Sequence, residues 1–170
     1  MKVKNLNSHI EHIINGNKQQ NQCYQQLLEL SQQILHQLED SISANYIESI
    51  EQVLHKRGEI VNSIKEIERN ITTHKEAIMG LLHLKEFNLE RVEDLINPNL
   101  IKELHEQKEA TMRIIKTIID SDSKNAEVLK NQRQNVADEL RSIQQHFEIQ
   151  QVYLDRPERF PESRFIDKKK

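Results

Sequence analysis

Residues 98–153 read PNLIKELHEQKEATMRIIKTIIDSDSKNAEVLKNQRQNVADELRSIQQHFEIQQVY. Asn97-Pro98 opens this stretch with an Asn suited to an N-cap and a Pro suited to a first helical turn. Neither Gly nor Pro interrupts it before Pro157, and apolar residues recur at helical spacing: Leu104, Ile115, Ile118, Leu129, Val136, Leu140, Ile143 and Phe147. At about 1.5 Å per residue such a helix is ~80 Å long. Asp120-Ser121-Asp122-Ser123 is its weakest point, because Asp and Ser prefer caps and turns. The apolar phase passes through it, so one continuous helix is expected, with a kink near Ser121 as the alternative.

The rest of the chain has the same character. Its 170 residues fit one domain, aromatics are only 4%, and Gly and Pro number three each. A turn-rich β fold needs more of all three. An apolar share of 36% suits long thin helices that bury one stripe and solvate the rest. The expected class is all-α: an elongated antiparallel helical bundle or coiled-coil hairpin with one very long C-terminal helix. Residues 1–153 form the domain and 154–170 an extended tail, broken by Pro157 and Pro161 and closed by Lys168-Lys169-Lys170.

Upstream, Val3, Leu6, Ile10, Ile13 and Ile14 suggest a short amphipathic helix ended by Gly16 as a C-cap. A second helix is expected from Gln19 to Ser43. Asn45 with Glu48 resembles a capping box and starts a third, whose stripe includes Tyr46, Ile50, Val53, Leu54, Ile60, Val61, Ile64, Ile71 and Ile78. His83–Asn97 connects to the long helix, and Asn88 followed by Glu90 looks like a capped short turn.

Short connections make successive helices antiparallel neighbours. A turn centred near residue 90 sets Arg57 opposite Asp122, and each lies on an apolar stripe where a charge is costly unless paired. A cross-helix ion pair that fixes register is expected; two side chains snorkelling at the stripe's edge are the alternative. The same count leaves the long helix extending past Tyr46 by roughly 17 residues, or about 25 Å. That part still carries Val136, Leu140, Ile143, Phe147, Val152 and Tyr153. A bare apolar stripe of this length marks a contact surface for a partner protein, a second copy or the chain's own tail.

Several functions are disfavoured. A net charge of −3 with both signs dispersed gives no basic face for nucleic acid. Cys23 is the only cysteine, so no intrachain disulfide forms. No segment has the apolar run of a signal peptide or a membrane span, which points to the cytoplasm. None of the eight histidines has Glu three residues before it, as a di-iron bundle requires. His9 and His12 with Glu11 read as surface residues, and His105-Glu106 lacks the second His of a zinc protease. His83-Leu84-Lys85 lacks the spacing and Gly of a phosphotransfer site. No catalytic residue, metal site or cofactor is expected.

Asn45–Glu68, NYIESIEQVLHKRGEIVNSIKEIE, resembles the flagellar type III export chaperones of the FliT and FlgN type, with Arg57 a few residues before the aliphatic pair Ile60-Val61. Arg113–Gln144 looks like that family's Ile-Ile, Asp, Asn, Leu helix, carried here by Ile118, Asp122, Asn125 and Leu129. The ending SRFIDKKK is similar to the tail of FliT-like chains, whereas the His83–Asn97 insert and the length look more like FlgN. The resemblance covers about two thirds of the chain. It implies a cytosolic chaperone without ATPase activity, which holds the C-terminal helical region of a hook-associated or filament-cap protein and hands it to the export apparatus. The alternative is a structural coiled-coil homodimer without a client.

Overall fold

The computed structural model describes residues 2–39 and 46–154 of the chain, with side chains for 5–39 and 47–149. Three helices dominate: α1 (Lys2–Glu39), α2 (Tyr46–Leu82) and α3 (Pro98–Leu154). No strand occurs among the described residues. The all-α class with a long C-terminal helix is therefore observed. Val3 and Tyr46 fall in helices, but their side chains lie outside the described set, as do Val152 and Tyr153.

One element differs from the sequence reading. Gly16 does not end a short N-terminal helix; α1 runs through it without a break, and no glycine has positive φ. The reason is packing. A Cβ on Gly16 would sit 2.6 Å from Ile71 Cγ1 and 3.0 Å from Ile71 Cδ1. The missing side chain lets Ile71 of α2 seat against the α1 backbone, and α1 with α2 is the closest-packed helix pair. A cost near 1 kcal/mol for a mid-helix Gly is smaller than the loss from displacing a buried Ile.

The actual stop signals lie elsewhere. α2 ends with His83 at φ 55°, and Leu84 N–H donates to Met79 C=O at 3.0 Å, the six-to-one bond of a Schellman motif. A histidine thus takes the left-handed place that glycine usually fills. Two 3₁₀ turns follow, Leu89–Arg91 and Glu93–Leu95. Asn88 Oδ1 accepts from Glu90 N–H at 2.9 Å and caps the first of them. At the start of α3, Asn97 Oδ1 accepts from Asn99 N–H at 3.0 Å, with Pro98 in the first turn. Asn97 N–H also reaches Asn7 Oδ1 of α1 at 3.2 Å, tying the two helix starts together.

Up to Leu129 the helices bury their apolar stripes in three successive clusters. Leu6, Ile10, Ile13, Ile14, Ile71, Ile78 and Leu104 form the first, closed by Val92 and Ile96 of the connection. Leu27, Ile64 and Ile118 form the second. Ile34, Leu38 and Val53 form the third, with Ile50 and Val128 packed against it. Polar side chains separate the clusters. Between the first and second, Asn21 Nδ2 donates to Gln107 Oε1 at 2.9 Å, Thr111 Oγ1 donates to Asn21 Oδ1, and Lys18 meets Glu103 at 2.6 Å. α3 also passes unbroken through Asp120–Ser123, where Ser123 Oγ bonds back to Ile119 C=O at 2.8 Å.

Candidate interaction face

The polar layer between the second and third clusters contains both residues that register placed opposite each other. Arg57 Nη2 lies 2.6 Å from Asp122 Oδ2. The other arm, Nη1, donates to Ser31 Oγ, which itself donates to Leu27 C=O at 2.9 Å. Asn125 Nδ2 donates to Ser31 C=O at 2.9 Å, while Asn125 Oδ1 is buried without a protein partner. Ser31 and Asn125 are buried and the Arg57 side chain is 18% exposed, but that of Asp122 is 41% exposed. The pair is thus half-solvated and not a sealed ion pair. All three helices contribute to this layer, so one fork-shaped guanidinium fixes their relative register.

Ser31 and Asn125 are parts of this layer that the sequence reading did not place in it. A signal for Ser31 exists: Leu27, Ser31, Ile34 and Leu38 recur at i, i+4, i+7 and i+11, so a polar residue interrupts an apolar stripe level with Arg57.

The second half of α3 is different. From Lys130 to Ile149 no residue is buried; only Gln132 and Ala137 are partly covered. Val136, Leu140, Ile143 and Phe147 are all exposed, Ile143 by 50% and Phe147 by 64%. Their spacing of four, three and four residues places them on one face of the helix. Polar residues of the same stretch pair among themselves: Arg141 Nη1 lies 3.3 Å from Asp138 Oδ1, and Gln134 Nε2 donates to Asp138 at 3.1 Å. α2 also shows Ile47, Leu54 and Val61, one heptad apart. Val53, Leu54, Val61 and Ile64 were all expected on the buried stripe; Val53 and Ile64 are buried, while Leu54 and Val61 are exposed.

Other chemistry is sparse. No group of three or more His, Cys, Asp or Glu suits a metal ion among the described residues. His9, His12 and His74 do gather at the α1–α2 seam: His9 Nδ1 is 3.0 Å from His74 Nδ1, and the His12 ring stacks on His74 at 4.5 Å. Burial, then the neighbouring His12 and His9, push the His74 pKa down. Burial, then Glu68 and Cys23, push Tyr24 up. An open cleft of about 690 Å³ lies beside Ile13, Phe87 and Leu104, and charges of both signs rim it, Lys75 and Lys108 with Glu86 and Glu90. No described helix is long and apolar enough to cross a membrane. Compared with protein-family models, with curated proteins and with solved structures, the chain matches none.

Proposed function

We propose that this chain is a cytoplasmic export chaperone that acts by binding alone. It holds the C-terminal helical region of a flagellar hook-associated or filament-cap protein against the Val136–Phe147 face of α3. In doing so it keeps the client monomeric and presents it to the type III export apparatus. The observation that carries the binding part of this reading is the uncovered run of Val136, Leu140, Ile143 and Phe147. An apolar stripe at helix-in-groove spacing takes an amphipathic helix as its partner. The flagellar assignment rests on the sequence resemblance through Asn45–Glu68 and Arg113–Gln144. In helical register the next positions along this face are those of residues 150 and 154, not those of Val152 and Tyr153.

The test uses peptides spanning the C-terminal helices of the organism's own hook-associated and filament-cap proteins, titrated by calorimetry. Binding of at least one is expected. Phe147→Ala is expected to weaken it by about 2 kcal/mol or more, as truncation of a central aromatic anchor does. Binding that is unchanged by Phe147→Ala and Ile143→Ala would move the client site off this face. No binding by any of these peptides would overturn the flagellar assignment.

A further inference from the structure

The exposed face of α3 carries a pattern more specific than a general apolar stripe. Two interleaved series run along it, each with a step of seven residues. One holds Leu129, Val136 and Ile143 and reaches the register position of Gln150; the other holds Arg133, Leu140 and Phe147 and reaches that of Leu154. Each series has one polar member, at opposite ends of the run. From the placement of these two we propose that, when no client is bound, the face is covered by the same face of a second copy. The two helices run antiparallel about a two-fold axis between Arg141 and Ser142. The proposal rests on the reading of this face as a helix-binding surface.

Matching of layers selects that orientation and register. In this antiparallel pairing Leu140 lies level with Ile143 of the second copy, and Phe147 with Val136 of the second copy. The two polar positions then coincide, Arg133 with Gln150 of the second copy, and the run closes with Leu129 against Leu154. Beside the seam Glu139 comes within two residues, about 3 Å of rise, of the level of His146 of the second copy, an acid near a base. A parallel pair in register instead sets Arg133 against Arg133, placing like charges in the seam, and Glu139 gains no basic neighbour. Sliding the antiparallel pair by one heptad towards the N-terminus sets Arg133 against Ile143; sliding it the other way sets Leu140 against Gln150. Only the two-fold between Arg141 and Ser142 matches apolar to apolar and polar to polar along the whole run. A polar layer of this kind specifies register and orientation in coiled coils. The matched run spans roughly three and a half heptads, about the length at which such a seam is sustained. Client and second copy are then competitors for one surface.

The experiment uses the full chain with Cys23→Ser and Asn131→Cys, spin-labelled at the exposed residue 131. Light scattering at tens of micromolar should report twice the 20.1 kDa chain mass. Because residue 131 lies level with residue 152 of the second copy, the spin–spin distance should be about 35 Å; a parallel pair gives about 20 Å. Leu140→Asp with Ile143→Asp should give a monomer with unchanged helical circular dichroism. A monomer at that concentration, a distance near 20 Å, or a dimer that survives the two aspartates would each overturn the proposal. A monomeric chain that still binds a client peptide refutes the self-pairing and leaves the chaperone reading standing. A dimer of the expected distance that binds no client peptide does the reverse.

Discussion

Between Leu104 and Asn125, α3 buries Leu104, Ile118 and Asn125; between Lys130 and Ile149 the same helix buries nothing. Both stretches carry apolar residues at heptad-like spacing. The first is covered by α1 and α2 and bridged to them by polar side chains: Gln107 and Thr111 to Asn21, Asp122 to Arg57, Asn125 to Ser31. In the second, Gln134, Asp138 and Arg141 pair with one another along the same helix. Periodicity therefore says that a helix has a face, and cross-helix polar contacts say whether that face is already used. The exposure of Val136, Leu140, Ile143 and Phe147 is the reason the proposed contact face is drawn on the second stretch.

The largest contrast between the two stretches should appear on truncation. Ile118→Ala is expected to cost about 2–5 kcal/mol in urea unfolding, through lost burial and a cavity. At submicromolar concentration, where no second copy covers the face, Ile143→Ala and Phe147→Ala are each expected to change stability by about 0.5 kcal/mol or less, as exposed sites do. A large loss at Phe147 would mean that the second stretch is core.

Glycines sharpen the same distinction between covered and open faces. Gly16→Ala drives a methyl into Ile71 and is expected to cost about 1–3 kcal/mol as overpacking. Gly58, inside α2, has nothing within 4 Å of an added Cβ, so Gly58→Ala should stabilise by about 0.5–1 kcal/mol. Thermal melts of the two variants should therefore shift in opposite directions. Equal shifts would remove the close approach of α1 and α2.

The Arg57 layer comes next. In a fully buried pair, loss of either charge costs about 3–5 kcal/mol. Water reaches Asp122, so the expected coupling in a double-mutant cycle of Arg57→Met and Asp122→Leu falls to about 1 kcal/mol. Additive effects would show that the pair contributes nothing; a coupling of several kcal/mol would show that the layer is sealed.

The smallest effect concerns pH. The folded His74 pKa is depressed below its unfolded value near 6.5, first by burial and then by His12 and His9. The unfolded chain then binds the extra proton first. This contribution to stability is intact above about pH 6.5 and declines as pH falls below it, towards the folded pKa. His74→Gln should flatten the decline of stability as pH falls below about 6.5. An unchanged slope would assign it to other groups.

Much of this fold was legible because helix signals are local. Asn97-Pro98, Asn88 with Glu90, and the apolar phases of α2 and α3 each depend on a few neighbouring residues. Arg57 opposite Asp122 followed from a count across one turn. Gly16 was misread because its role is set by Ile71, some fifty residues away, and not by Asn15 and Asn17 beside it. Leu54 and Val61 were assigned to the core because a stripe wide enough to include Val53 and Ile64 does not reveal its own edge. Ser31 escaped notice because its importance comes from Arg57 on another helix. The identity of a client would lie in another molecule's sequence, not in this chain's local pattern.

Hydrogen–deuterium exchange along α3, resolved by peptide and followed at submicromolar concentration, tests the division most directly. Without a client, amides of 130–149 should exchange much faster than those of 104–125. Adding a binding client peptide should slow 130–149 by at least about tenfold and leave 104–125 unchanged, the pattern of a covered helix face. Equal protection of both stretches in the free chain, or slowing confined to other helices on client binding, would contradict the assignment of Val136–Phe147 as the contact face.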